Sequence, residues 1–152
     1  MRVSEVMTTP PVCVAPGDSL AEATRMMARS AVGSLLVVEE GALRGIVTDR
    51  DLAVRGLGGG LDREARVDAV MSAPVVTVDV DDDVQVAYET FRRTGVRRLP
   101  VLHKGEASGV LTIDDLFLDV FRRLADLLGP VAWSVLQEPP GPPLAGGTSY
   151  EP

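Results

Sequence analysis

The sequence predicts an α+β fold, close to an α/β sandwich, in which two β-α-β-β-α units pack pseudo-symmetrically through their sheets. Two observations predict it: the chain repeats itself at a fixed offset, and each copy runs through the same order of strand and helix patterns. "VSEVMTTPPVCV" from Val3 returns as "VDAVMSAPVVTV" from Val67, an offset of 64. The offset holds through Asp18/Asp82, Ala23/Ala87, Arg29/Arg93, Leu35/Leu99, Val37/Val101, Gly45/Gly109, Thr48/Thr112, Asp51/Asp115 and Leu52/Leu116 without insertion or deletion. A period of that length marks one structural unit used twice. A single copy of roughly 50 residues buries too little surface to stand alone, so the two are expected to share a core.

Each copy opens on a short apolar strand, residues 12–14 or 76–78, followed by an acidic turn. Asp18 or Asp82 in that turn suits the start of a helix, where a side-chain oxygen accepts from a free N–H. The helix follows from apolar residues at helical spacing: Leu20, Ala23, Met27 and Ala31 in the first copy, Val84, Ala87, Tyr88 and Phe91 in the second. These read as core. Arg92 and Arg93 close the second helix, where they complement its dipole. An apolar strand ("SLLVV" or "RLPVL"), a turn at Gly41 or Gly105 and a second strand ("LRGIV" or "ASGVL") come next. A final helix opens at Asp49 or Ile113.

The expected layout is a first unit over residues 1–55, a linker over 56–66 and a second unit over 67–128. The linker holds four glycines between Gly56 and Gly60 and reads as flexible. The last helix is expected to run to about Leu128, because Phe117, Val120, Phe121, Leu124 and Leu128 form one wide apolar stripe. That stripe suits either the outer face of the domain or a second subunit. Residues 129–137 read as a short helical or irregular extension with Trp133 packed back, and the Pro/Gly-rich segment 138–152 as disordered.

Composition narrows the function. The chain is 45% hydrophobic and 24% charged, as in globular proteins, but only 4% aromatic. A net charge of −7 argues against general binding to nucleic acid or to an anionic membrane. The first residues lack the apolar run of a signal peptide, and apolar runs are far too short to span a membrane. One cysteine, Cys13, cannot form an internal disulfide, which fits the cytoplasm, and its apolar neighbours suit a small buried residue. The single histidine, His103, falls in a polar turn. No metal-ligand spacing, nucleophile elbow or phosphate loop is present, and the acidic run 80–83 reads as a solvated helix start. An enzyme is not expected, and no cofactor is required.

The chemistry concentrates in a doubled motif, Gly-aliphatic-aliphatic-Thr-x-x-Asp, at Gly45 to Asp51 and again at Gly109 to Asp115. Its modest reading is a capping box, with Thr and Asp satisfying each other's N–H groups at a helix start. Its sharper reading is an anion site at that helix start. Over residues 3 to 125 the chain resembles a tandem pair of CBS domains, a Bateman module. The resemblance rests on the "VM…P" opening, the strand ending "PV", the glycine turn and the doubled motif with its following Leu.

That resemblance implies two clefts that take adenosine ligands: AMP, ADP, ATP or S-adenosylmethionine. It also implies a homodimer. Thr48 and Thr112 would donate to a phosphate, while Asp51 and Asp115, as acceptors, would hold the two ribose hydroxyls. Adenine would lie against the segments from Thr8 to Cys13 and from Ser72 to Thr77. Arg97 and Arg98 stand where the family often places basic phosphate ligands, and Arg suits that by its bidentate fork. The first copy has Gly33 and Ser34 there, so the clefts are expected to be unequal. The resulting expectation is a non-catalytic sensor acting on an unknown protein partner in trans. The alternative is a ligand-free dimerisation or interaction scaffold.

Overall fold

A computed structural model describes the backbone of residues 1–137 and their side chains except at 132, 133 and 135–137. The expectations for Trp133 and for the tail fall outside those described parts. The fold is α+β, as the repeat predicts. Strands β1 (Cys13–Val14), β2 (Ser34–Glu39) and β3 (Ala42–Thr48) belong to the first copy; β4 (Val78–Asp79), β5 (Arg98–His103) and β6 (Glu106–Thr112) belong to the second. They form one six-stranded sheet in the order β1-β2-β3-β6-β5-β4. The two halves join edge to edge, β3 antiparallel to β6 at Ala42↔Glu106.

Within each half the long strand pair is a tight hairpin. Glu40-Gly41 and Lys104-Gly105 all have positive φ, between 50° and 84°. That is the pair of left-handed residues a two-residue hairpin turn demands. His103 is therefore the exposed last residue of β5, opposite Glu106, rather than part of the turn. The first helix of each copy, α1 (Leu20–Ser30) or α3 (Val84–Thr94), returns the chain so that β1 pairs parallel to β2 and β4 parallel to β5.

The helix caps lie one residue later than expected. Ser19 Oγ accepts from Glu22 N at 3.1 Å, and Asp83 Oδ1 accepts from Gln85 N at 2.8 Å. Asp18 and Asp82 instead close the preceding turns, each accepting at 2.9 Å from the backbone N–H of Ala15 or Asp79. A carboxylate reaches back across such a turn as readily as forward into a helix. Tyr88 is not core: the buried stripe of α3 is Ala87, Thr90 and Phe91, and Tyr88 lies beyond its edge, exposed. Ala31 leaves the stripe as well, because it ends α1 in the left-handed conformation at φ 52°.

The core is not shared but split in two, and each half is completed by the other copy's opening residues. One cluster joins Leu20, Ala23, Met27, Leu35, Val37 and Val47 to Val67 and Val70. The other joins Ala87, Phe91, Leu99, Val101, Leu111 and Leu116 to Val3. The docking bonds repeat at the same offset. Val3 N donates to Asp82 O at 2.9 Å, and Val67 N donates to Asp18 O at 2.8 Å. A repeat read linearly thus becomes a reciprocal exchange in space. This exchange is how two undersized units each obtain a sufficient core.

The glycine-rich joint is wound rather than loose at its start. After α2 (Asp49–Asp51) the chain widens into a π-helix over Leu52–Leu57. Gly58 N then donates to Ala53 O at 2.8 Å and Leu61 N to Gly56 O at 3.0 Å. The second copy does the opposite at this point: α4 (Ile113–Gln137) continues as one helix past Pro130, beyond the expected end near Leu128. Residues 1–116 form one compact body and the chain from Phe117 a second. Among the described residues no helix is long and apolar enough to cross a membrane.

Candidate functional site

Both readings of the doubled motif begin from the same geometry, a complete capping box in each copy. Thr48 N and Thr48 Oγ1 donate to Asp51 Oδ2 at 2.9 and 3.0 Å, and Asp51 N donates back to Thr48 Oγ1 at 3.1 Å. Thr112 and Asp115 repeat this at 2.9, 2.7 and 3.0 Å. Each threonine hydroxyl therefore already donates to its own aspartate, and one carboxylate oxygen of each aspartate is occupied. Among the described residues, the other oxygen of Asp51 meets only a distant Arg55 Nε, at 3.9 Å.

The glycine of the motif has a separate reason. A Cβ on Gly45 would lie 2.7 Å from Met71 Sδ and 2.8 Å from Ser72 O; on Gly109 it would lie 2.8 Å from both Met7 Sδ and Thr8 O. The exchanged opening segments run that close to the strands. They pair there as well, Ser72 N to Ile46 O at 2.9 Å and Thr8 N to Val110 O at 2.9 Å. This places the segment after Ser72 beside Thr48 and the segment after Thr8 beside Thr112. Each motif thus lies against the other copy's opening segment.

The first cleft, of about 230 Å3, is lined by Ile46, Thr48, Ser72, Pro74, Val75, Val76, Val96, Arg97 and Arg98. Four residues singled out from sequence meet here: Thr48, Ser72, Arg97 and Arg98. Asp51 does not line the cleft; its carboxylate is 15% exposed and turned to Thr48. Arg98 is half-buried and, among the described residues, has neither an ion pair nor a side-chain hydrogen bond. Its Nη2 lies 3.6 Å from the point a Gly33 Cβ would occupy, with Asp49 Oδ2 3.1 Å from the same point. Arg97 reaches Asp114 Oδ1 only at 4.0 Å, both side chains well exposed.

Ile46, Val96 and Asp49 were not singled out by sequence reasoning. Ile46 was recoverable, since it is two residues from Thr48 and so shares its face of the strand. Cys13 and Thr77 fall outside this lining. Cys13 begins β1 opposite Leu36, half-buried, with Sγ 3.7 Å from Pro11 O, and burial raises its thiol pKa. In the first copy, the positions equivalent to Arg97 and Arg98 are Gly33 and Ser34, which bring no charge.

Comparison with known proteins bears on both the fold and the clefts. The family model described as "CBS domain" matches residues 3–57 and again 67–121. CBS domain-containing protein YhcV of Bacillus subtilis is 33% identical over 114 residues, covering 75% of this chain and 81% of that protein. A stretch of 112 residues is 33% identical to inosine-5'-monophosphate dehydrogenase of Mycobacterium tuberculosis, spanning 72% of this chain but only 20% of the enzyme. Among solved structures, a CBS domain protein of Pyrobaculum aerophilum complexed with AMP superposes with a TM-score of 0.69. It is 31% identical, over 76% of this chain and 90% of that one.

Proposed function

Because this chain belongs to the CBS domain family, with two of its domains, we propose that it is a non-catalytic regulatory module whose Thr48 cleft binds an adenosine ligand through its phosphate. The observation that carries this reading is Arg98, a half-buried guanidinium without an ion pair among the described residues, in the lining of a mostly apolar cleft. A guanidinium without an ion pair in that setting favours an anion, and Arg offers a phosphate two parallel donors. Arg97 adds a second charge to the lining. Ile46, Pro74, Val75, Val76 and Val96 supply apolar walls for a base.

The AMP complex of the Pyrobaculum aerophilum relative supports the ligand class. Asp51 lies behind Thr48, outside the cleft lining, so its second oxygen accepts from a ribose hydroxyl only once the side chain turns into the cleft, the first being held in the capping box. Thr48 contributes by orienting that carboxylate, and its hydroxyl reaches a phosphate only by leaving Asp51. The Thr112 cleft, with Gly33 and Ser34 in place of the arginines, takes an uncharged nucleoside or stays empty. S-adenosylmethionine, which brings a sulfonium cation, is disfavoured in the arginine-bearing cleft and better suited to the other.

In this reading the ligand changes how a homodimer presents itself to a protein partner in the cytoplasm. One observation favours the alternative, a ligand-free scaffold: both capping boxes are closed within the chain, each threonine hydroxyl already donating to its own aspartate. Calorimetry and thermal shift with AMP, ADP, ATP, adenosine and S-adenosylmethionine separate the two. A binder gains about 2.7 kcal/mol at a hundredfold excess over Kd, whereas a scaffold gains nothing. Arg98→Ala is expected to weaken AMP at least tenfold while leaving adenosine unchanged. Equal affinity for AMP in Arg98→Ala and the parent chain removes the phosphate assignment.

A further inference from the structure

One charged side chain of the first copy reaches across to the opening segment of the second. Arg55 stands in the π-helix, four residues after Asp51. Its Nη1 donates to Val70 O at 3.2 Å and to Met71 O at 3.4 Å. Those are the last two carbonyls before Ser72, where the chain enters the lining of the Thr48 cleft. Ser72 is itself paired with Ile46 of the same lining, its N–H donating at 2.9 Å and its carbonyl accepting at 3.1 Å. The Nε of the same guanidinium lies 3.9 Å from Asp51 Oδ1. One side chain therefore joins the motif of the first copy to the segment that forms the cleft's apolar wall. A guanidinium presents its donors as a rigid fork, so it fixes neighbouring carbonyls more firmly than an ammonium on a flexible stem. Single π-turns such as the one that carries Arg55 are rare and frequent at functional sites.

The second copy has a different residue at this place. Shifted by 64, Arg55 becomes Asp119, whose carboxylate only accepts and is taken by Arg123 of its own helix at 2.9 Å. The equivalent opening segment keeps the backbone pair, Thr8 N to Val110 O at 2.9 Å and Val110 N to Thr8 O at 3.0 Å. We propose that Arg55 is a positioning residue for the Thr48 cleft: by pinning Val70 O and Met71 O it fixes the segment from Ser72 to Val76, the wall against which a base lies. The cleft role rests on the adenosine reading above; the pinning of Ser72 does not. Arg98 and Arg55 then serve different parts of one ligand. Loss of Arg98 removes a phosphate contact, whereas loss of Arg55 loosens the base wall and weakens AMP and adenosine by the same factor.

The test uses the full chain with Arg55→Ala and Arg55→Lys. The Arg55 side chain is 54% exposed, so its removal opens no cavity in either core, and the melting temperature is expected to fall by only a few degrees. Amide hydrogen exchange followed by NMR reads the pinning without any ligand. In Arg55→Ala the Ser72 N–H is expected to exchange about tenfold faster, while its counterpart, the Thr8 N–H, keeps its rate. Calorimetry is expected to show AMP and adenosine weakened alike, about tenfold, as for loss of hydrogen bonds from a charged donor. Arg55→Lys keeps the charge without the fork and is expected to recover part of both effects. Unchanged exchange at Ser72, or equal acceleration at Ser72 and Thr8, overturns the pinning. Faster exchange at Ser72 with AMP and adenosine bound as in the parent overturns the cleft role. A parent chain that binds neither ligand overturns the adenosine reading and the cleft role together, and the exchange rate at Ser72 still decides the pinning.

Discussion

The two halves of the sheet have nearly the same skeleton and unequal contents. Where the copies agree, the shared residue does a structural job in both places. Gly45 and Gly109 admit the other copy's opening segment, Thr48/Asp51 and Thr112/Asp115 cap a helix, and Val3 and Val67 plug the opposite core. Where they disagree inside the cores, one apolar residue replaces another, as Met27 against Phe91 and Val47 against Leu111. The disagreements that change charge or bulk fall on a surface: Gly33 and Ser34 against Arg97 and Arg98, Ala53 against Phe117. Agreement between copies therefore marks what the fold needs, and a change of charge or bulk marks where one half differs in what it presents.

The glycines give the strongest way to break that division. Gly45→Val and Gly109→Val each drive a side chain into a backbone carbonyl less than 3 Å from the new Cβ. Displacing the opening segment costs about 1–3 kcal/mol as overpacking alone, with the exchanged hydrophobic plug loosened in addition. Urea denaturation is expected to show comparable losses for the two variants. A full loss in one and none in the other would mean that the halves are not structurally equivalent, and the comparison would have to be redrawn.

Charge transfer between the clefts sharpens the functional side. Ser34→Arg gives the second cleft the residue that Arg98 gives the first. Calorimetry with AMP is expected to show a second site, or an existing weak one strengthened about tenfold, the yield of one charge-assisted contact. Adenosine titrations are expected to stay the same. If AMP binds Ser34→Arg no differently, the arginine does not set the preference.

Most of the fold could be read from the repeat, because hydrophobic periodicity and turn glycines are local signals. Hairpin turns at Gly41 and Gly105 and helix starts at Asp49 and Ile113 needed no other information. The exchange of openings could not be read, since Val3 and Val67 show only that they want burial, not in which half. The cap shift from Asp18 to Ser19 was equally hidden: both side chains can accept, and the backbone path of the turn decides between them. At the site, the sequence singled out Thr48, Ser72, Arg97 and Arg98, which share one cleft. Its capping-box reading of Thr48 and Asp51 matches the bonds found, and those same bonds turn the carboxylate away from the cleft where the resemblance would have it meet a ribose.

Those bonds provide a smaller comparison. Thr48→Val and Thr112→Val each remove a hydroxyl that accepts an N-terminal N–H, a change worth about 1 kcal/mol. The stability losses are expected to match within a few tenths of that figure. Only Thr48→Val is expected to weaken AMP as well, by freeing Asp51 to turn. Equal effects on AMP from both variants would make the clefts functional equals.

The smallest effect separates the halves by the origin of their acid sensitivity. Hydrogen bonding from Arg25 chiefly holds the Glu22 carboxyl below its ordinary value, and Arg66 does the same for Asp68. In the other half, Asp83 is lowered chiefly by the Gln85 backbone N–H. All three are depressed on folding, so their stabilisation is in place above the ordinary carboxylate range and is lost as pH falls through and below it. These groups sit at the surface, so the change in melting temperature between pH 5 and pH 3 is expected to be modest. Salt divides them. Ion pairs with Arg25, Arg29 and Arg66 weaken as screening grows, while a backbone hydrogen bond does not. Carboxyl titrations followed by NMR at low and high salt are therefore expected to move Glu22 and Asp68 upward and leave Asp83 nearly still. A matching upward move of Asp83 would show that its charge is held by the chain's amino terminus, 3.6 Å away, rather than by the helix cap.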